Sequence, residues 1–75
     1  MKLNPLGSNM TEVELGNGIT VLFSYKTPVA YHKSGVGYFK TDCRWSSTTT
    51  RHINKWLDGC AATVVPQAEI DLLVQ

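Results

Sequence analysis

The sequence predicts an α+β domain, in which a small antiparallel β-meander of two consecutive hairpins is packed by one amphipathic helix and a short C-terminal helix. Apolar and polar residues alternate with a strand-like period through the first half of the chain, and glycine-containing turn signals interrupt the alternation. After Trp45 the period becomes helical. Because the strands precede the helices, we expect both helices on one face of the sheet.

The first hairpin is predicted over MTEVELGNGITVLFSY, residues 10–25, with Asn17-Gly18 supplying the two positive-φ residues of a type I′ turn. Alternation along its strands predicts that one side packs and the other meets water. Residues 1–9, which precede it, are expected to be loosely ordered. The segment Lys26-Thr27-Pro28 should end the second strand, because proline cannot donate a hydrogen bond to a β-ladder.

The second hairpin is predicted over VAYHKSGVGYFKT, residues 29–41, with its turn at Ser34-Gly35. Two successive hairpins make an antiparallel meander, whose strand order the sequence leaves open. Either edge strand of such a meander could pair with a partner or with a second copy of the chain, so a homodimer is among the alternatives.

An amphipathic helix is predicted over residues 48–58. The apolar stripe at helical spacing consists of Thr49, Ile53, Trp56 and Leu57, and the polar stripe of Arg51, Asn54, Lys55 and Asp58. Short hydroxyl side chains at Ser46–Thr48 are typical of a helix N-terminus, and Gly59 is expected to form the left-handed C-cap. The tail predicts a short extended piece and then a helix with Pro66 at its first position.

Length and composition indicate one domain spanning residues 1–75. The chain is 43% hydrophobic and 17% charged, which is typical of a folded protein, and its thin core predicts modest stability. No apolar stretch is long enough for a membrane span or a signal peptide, so no membrane partner is expected. Cys43 and Cys60 are too few for a disulfide framework and are expected to be thiols in the core or at its boundary.

Metal binding and catalysis are not expected from the residue pattern. Cys43, Cys60, His32 and His52 have none of the spacings typical of zinc ligands. A cysteine nucleophile would have only His52 as its base, and a chain of this length rarely encloses a substrate pocket. We therefore expect no cofactor, no metal and no enzymatic activity.

The distribution of charge predicts a binding surface in the middle of the chain. Residues 26–55 carry a net charge of +5, whereas residues 1–25 carry −1 and residues 56–75 carry −3. Cations and aromatic rings interleave over residues 31–56, which form the candidate contact region. The candidate binding residues are Lys33, Tyr38, Lys40, Arg44, Trp45, Thr48, Arg51, His52 and Lys55.

Two classes of partner fit that region. Cations bind phosphates and aromatic rings stack on bases, so a nucleic acid is one candidate. The chain's pI of about 7.8 is low for a dedicated nucleic-acid-binding protein, and tryptophan, tyrosine and arginine also dominate the energetics of protein interfaces. A protein partner is therefore the first hypothesis, with nucleic acid as the alternative.

The order of sequence pieces resembles a family of small uncharacterised proteins encoded by bacteriophages and prophages. The similarity covers roughly residues 12–58: an NG hairpin, then LFSYKTPVAYH, GYFKT and finally SSTTTRHINKWL. It implies a phage setting and a domain of unknown function, and it brings no catalytic residues. With that resemblance, we expect an accessory protein that binds a host or phage protein in the host cytoplasm.

Overall fold

A computed structural model describes residues 2–74. These residues form one six-stranded mixed sheet and two helices, which confirms the predicted α+β class. The strands are β1 (Lys2–Gly7), β2 (Met10–Glu14), β3 (Ile19–Ser24), β4 (Thr27–Lys33), β5 (Gly37–Thr41) and β6 (Ala62–Val65). The helices are α1 (Ser47–Leu57), between β5 and β6, and α2 (Gln67–Leu73), after β6.

The strands lie in the sheet in chain order, from β1 at one edge to β6 at the other. Successive strands from β1 to β5 pair antiparallel, as expected of a meander, and both predicted hairpins are present. The last pair, β5 and β6, is parallel. Parallel neighbours need a crossover connection, which α1 provides.

Residues 1–9 were expected to be loosely ordered; residue 1 lies outside the described part of the chain, and most of residues 2–9 are in regular structure. Lys2–Gly7 forms β1, which pairs with β2 in the register Leu3 to Val13. Asn9 takes a φ of 60° in the turn that follows, a conformation that asparagine tolerates better than most residues. Pro5 is accommodated because β1 is an edge strand and only one of its sides has to pair.

The expectation that both helices share one face of the sheet is wrong. Helix α1 packs with Met10, Leu22 and Ala30, whereas Ile70 of α2 packs with the opposite face of the sheet. The chain reaches the far edge of the sheet at β6, and Pro66 then directs it across to the uncovered side. We call the two sides the α1 face and the α2 face.

The two covered faces also correct the expectation that one side of the first hairpin meets water. Val21 and Leu22 are neighbours on β3 and point to opposite faces, yet both are completely buried. One core cluster lies under α1 and a second lies under α2. A domain this small thereby buries both sides of its central strands.

The turn between β2 and β3 is not the predicted type I′ turn. Positive φ angles occur at Gly16 (86°) and Gly18 (83°), and Asn17 is not among the positive-φ residues of the described chain. The Leu15 N–H donates to the Ile19 carbonyl over 2.9 Å, which closes a three-residue loop. The hairpin prediction holds because either loop length joins the same strands.

The turn between β3 and β4 falls one residue earlier than predicted. Tyr25 has a φ of 59°, and its N–H donates to the Asn9 carbonyl over 2.7 Å. Pro28 lies within β4, opposite Phe23, next to an irregularity in the β3–β4 register. This bulge lets the strand continue through a residue that lacks an N–H.

Helix α1 begins and ends within a residue of the predicted 48–58. Ser46 is its N-cap and accepts the Thr49 N–H on its Oγ over 3.1 Å, as the run of hydroxyl residues predicted. The left-handed C-cap is Asp58, with a φ of 48°, so the cap lies one residue before Gly59. Pro66 is likewise the N-cap of α2 and not its first helical residue.

Both cysteines are exposed free thiols, which corrects the expectation that they belong to the core or its boundary. Cys43 lies in the connection from β5 to α1, and Cys60 in the connection from α1 to β6. Connections run over the surface, because buried loop backbone would leave its polar groups without partners. Within residues 2–74, neither helix has the length and apolar character that crossing a membrane requires.

Candidate functional site

An open cleft lies on the α1 face, between the sheet and the second half of α1. Its volume is about 460 Å³. Strands β1 to β5 supply its floor and one wall, and the end of α1 supplies the other wall. The lining residues are Leu6, Met10, Glu12, Thr20, His32, Tyr38, Lys55, Trp56 and Asp58. We call this the α1 cleft.

Three rings form the aromatic wall of the α1 cleft. Tyr38 and Trp56 meet edge to face, with ring centroids 5.5 Å apart and an interplanar angle of 84°. The His32 ring lies against Tyr38 from the neighbouring strand, at 4.5 Å between centroids. Edge-to-face contact of this kind is a preferred aromatic geometry, so the rings stabilise one another's positions. All three side chains are half-buried and keep a surface for contact.

The carboxylate of Glu12 is fixed by two donors. The Trp56 indole Nε1–H donates to Glu12 Oε1 over 3.0 Å, and Asn4 Nδ2 donates to Glu12 Oε2 over 3.4 Å. Asn4 also donates to Glu14 Oε2 over 2.9 Å. The indole bond joins β2 to α1 and holds a negative charge at the base of the aromatic wall.

The α1 cleft is more acidic than the segment from which most of its rings come. Of the residues that the structure describes, Glu12 and Asp58 contribute two carboxylates to the lining and Lys55 contributes one ammonium group. The C-terminal end of α1 adds partial negative charge, because the last carbonyls of a helix have no partner within it. Lys55, in the last turn of α1, offsets part of that charge.

Only some of the candidate binding residues come together in the structure. Tyr38 and Lys55 line the α1 cleft. Thr48 and Arg51 lie on α1, and Lys40 lies on β5, two residues beyond Tyr38 and therefore on the same face. Lys33 lies two residues after Tyr31 on β4 and therefore on the same face. Because the Tyr31 ring packs in the α2-face cluster, Lys33 projects to the α2 face.

His52 is not free for binding through its Nδ1 atom. That nitrogen lies 2.8 Å from Ser24 Oγ, and Ser24 Oγ lies 3.1 Å from Thr49 Oγ1. Ser24 is only 2% exposed, so its hydroxyl cannot meet a substrate, and the pair joins α1 to the end of β3. The structure therefore gives His52 a hydrogen bond within the fold, and its part in binding stays a prediction.

Arg44 and Trp45 lie away from the α1 cleft, in the connection before α1. Both are exposed, and Trp45 exposes 51% of its surface. Its indole Nε1–H donates to Gln67 Oε1 over 3.4 Å, and Gln67 Nε2 donates to the Pro28 carbonyl over 2.7 Å. Gln67 thus links the connection to the start of α2 and to β4.

Several residues of the α1 cleft were missed by reasoning from the sequence. Glu12 and Thr20 come from the first hairpin, outside the basic and aromatic segment. Alternation along the strands places Glu12 on the face opposite to Val13, and it places Leu22 and Ser24 together on one face of β3. The apolar Leu22 on that face is a signal that something packs there, and α1 does so.

Comparison with known proteins gives a family match without an activity. A family of unknown function (DUF8033) matches residues 1–72. No curated protein and no solved structure matches the chain. Among residues 2–74, no group of three or more histidine, cysteine, aspartate or glutamate side chains is arranged to hold a metal ion.

Proposed function

We propose that this chain, which belongs to the DUF8033 family of unknown function, is a non-enzymatic accessory protein that binds another protein through the α1 cleft. The observation that carries the proposal is the cleft itself: about 460 Å³ of open concavity with a fixed aromatic wall. A phage origin and action in the host cytoplasm form part of the proposal. They are supported by the resemblance of residues 12–58 to phage and prophage proteins.

The composition of the α1 cleft favours a protein ligand. Tyrosine and tryptophan in partly desolvated pockets are the residues that contribute most to protein interfaces. The Tyr38 ring is held against Trp56, and the Trp56 indole is also hydrogen-bonded to Glu12. Little side-chain entropy is therefore lost when a partner binds. Exposed Lys55, on the lining of the cleft, and exposed Arg51, one helical turn before it, supply the polar rim that such a contact needs.

The alternative is nucleic-acid binding by the outside of α1 and the connection before it. Arg51 and Lys55 are exposed and one helical turn apart, and Arg44 is exposed beside the start of the helix. These cations could contact successive phosphates. The α1 cleft would be a poor neighbour for phosphate, because two carboxylates line it.

A pull-down from host lysate with a cleft-blocking variant tests the proposal. Thr20 lies on the floor of the α1 cleft, and Thr20→Tyr puts a ring into the cleft on a strand that tolerates aromatic residues. Thr63→Tyr is the matched control, since Thr63 is an exposed strand threonine on β6 that does not line the cleft. We expect the wild type and Thr63→Tyr to capture the same stoichiometric protein after nuclease treatment, and Thr20→Tyr to lose it.

Two results would overturn the proposal. Capture of the protein by Thr20→Tyr at the wild-type level would mean that the α1 cleft is not the contact site. The nucleic-acid alternative would be established by two results together: nuclease treatment removes the captured protein, and the chain binds DNA or RNA in a direct titration in which Arg51→Glu does not bind. Circular dichroism and urea unfolding of both tyrosine variants check that they fold.

A further inference from the structure

We infer that the α1 cleft takes an arginine side chain of its partner. This inference rests on the proposed function and specifies the chemistry of the ligand. It follows from the rings, the carboxylates and the helix end that the fold brings together at one place. Most of these groups belong to parts of the chain that are far apart in sequence, since Glu12 and Trp56 are 44 residues apart.

The rings of the α1 cleft suit a planar cation. A guanidinium group is attracted to the face of a tryptophan or tyrosine ring and stacks on it, and tryptophan gives the strongest attraction. The Trp56 indole donates its N–H to a carboxylate, which polarises the ring and makes its face more negative. Tyr38 stands nearly perpendicular to Trp56, and both side chains line the cleft.

The carboxylates set the sign of the charge that the α1 cleft prefers. Glu12 accepts one hydrogen bond on each oxygen, and each oxygen keeps a lone pair for a further donor. Asp58, at the end of α1, brings a second carboxylate to the negative end of the helix dipole. A guanidinium group has five N–H donors and can satisfy acceptors on both sides of the cleft.

Among residues 2–74, Lys55 is the one cation on the lining, and it does not close the site. Its side chain is exposed, and a lysine stem can turn its ammonium group out to water. The cleft volume of about 460 Å³ exceeds what one side chain occupies, so it also admits the backbone on either side of the arginine. Because Lys55 repels an incoming cation, its neutralisation should strengthen binding.

Titration with short capped peptides tests the inference on the intact chain. The probes are acetyl-Gly-Arg-Gly-amide, the same peptide with citrulline, which has nearly the same shape without the charge, and the same peptide with lysine. The Trp56 indole N–H resonance reports the α1 cleft, and the Trp45 indole N–H is an internal control outside it. We expect the arginine peptide to shift Trp56 and not Trp45, and citrulline and lysine to bind at least about fivefold more weakly.

Variants of single charges make the test specific. In Glu12→Gln the amide oxygen still accepts the Trp56 N–H, and the affinity for the arginine peptide should fall about fivefold. Glu69→Gln is the matched control, because the new amide oxygen still accepts the Tyr31 O–H on the α2 face, away from the cleft, and the affinity should be unchanged. Lys55→Gln should raise the affinity by about twofold to fivefold.

The inference is overturned if citrulline or lysine binds as well as arginine, or if Glu12→Gln binds as well as the wild type. These results are separable from failure of the proposed function. If Thr20→Tyr fails to capture the partner protein and Glu12→Gln captures it fully, the α1 cleft is supported as the contact site and an arginine ligand is excluded. Equal losses in Glu12→Gln and Thr20→Tyr, with Glu69→Gln unaffected, would support both.

Discussion

Replacement of Ile70 by alanine should remove a large part of the stability of the domain. Ile70 is completely buried and packs with Val21, Tyr31 and Val65 in the α2-face core. The change deletes three carbon atoms, which costs about 2.4 kcal/mol in transfer free energy, and the remaining cavity brings the loss to about 3–4 kcal/mol. A domain of 75 residues has a free energy of unfolding of about 4–11 kcal/mol in total.

Urea unfolding followed by circular dichroism measures this loss. With a denaturant slope near 1 kcal/mol/M for so small a domain, the urea midpoint of Ile70→Ala should fall by about 3 M. Leu72→Ala is the control on the same helix: Leu72 is 66% exposed, so its free energy of unfolding should change by less than about 0.5 kcal/mol. Equal losses in the two variants would refute the idea that α2 covers a second core.

Three further predictions concern single residues. Burial and then the neighbouring Glu69 carboxylate raise the pKa of Tyr31 to about 12, so the folded state holds that proton more tightly. The free energy of unfolding should therefore fall by up to about 3 kcal/mol between pH 10 and pH 12. Urea unfolding at each pH should show this fall in the free energy of unfolding in the control variant Tyr25→Phe and not in Tyr31→Phe. A fall of the same size in Tyr31→Phe would contradict the prediction. Ser24→Ala should cost about 1–3 kcal/mol in urea unfolding, because buried hydroxyl and imidazole groups lose their partner; a loss below about 0.5 kcal/mol would contradict it. Gly18→Ala should cost about 1–2 kcal/mol in thermal unfolding, because φ is positive there, and more than Gly7→Ala; equal costs would be inconsistent with the observed turn.

Local patterns predicted the elements well because local chemistry determines them. The hairpin over residues 10–25 follows from alternation and a glycine turn, although the turn uses Gly16 and Gly18 in place of Asn17. Helix α1 follows from Ser46 as a cap and from the stripe that includes Ile53. In each instance the interacting groups lie within a few residues of one another, so spacing alone was informative.

The arrangement of the elements was harder to predict. Nothing local to residues 62–65 indicates that β6 pairs parallel with β5, because that pairing depends on how the intervening α1 packs. The side that α2 covers depends in turn on β6 lying at the edge of the sheet. Burial on both faces leaves a signal only in neighbouring apolar residues such as Val21 and Leu22, which alternation alone cannot assign.

The same physics explains why the net charge of a sequence segment differs from the charge that lines the α1 cleft. The net charge of +5 over residues 26–55 treats neighbours along the chain as neighbours in space. The fold instead brings Glu12 to Trp56 and places Lys33 on the α2 face. Among residues 2–74, the charged groups that line the α1 cleft are then two carboxylates and one ammonium group. At the separations within a cleft, a few charges outweigh the distant remainder, which salt screens over about 10 Å. The preference of the α1 cleft for a cation therefore arises from tertiary structure, in a chain whose formal net charge is +1.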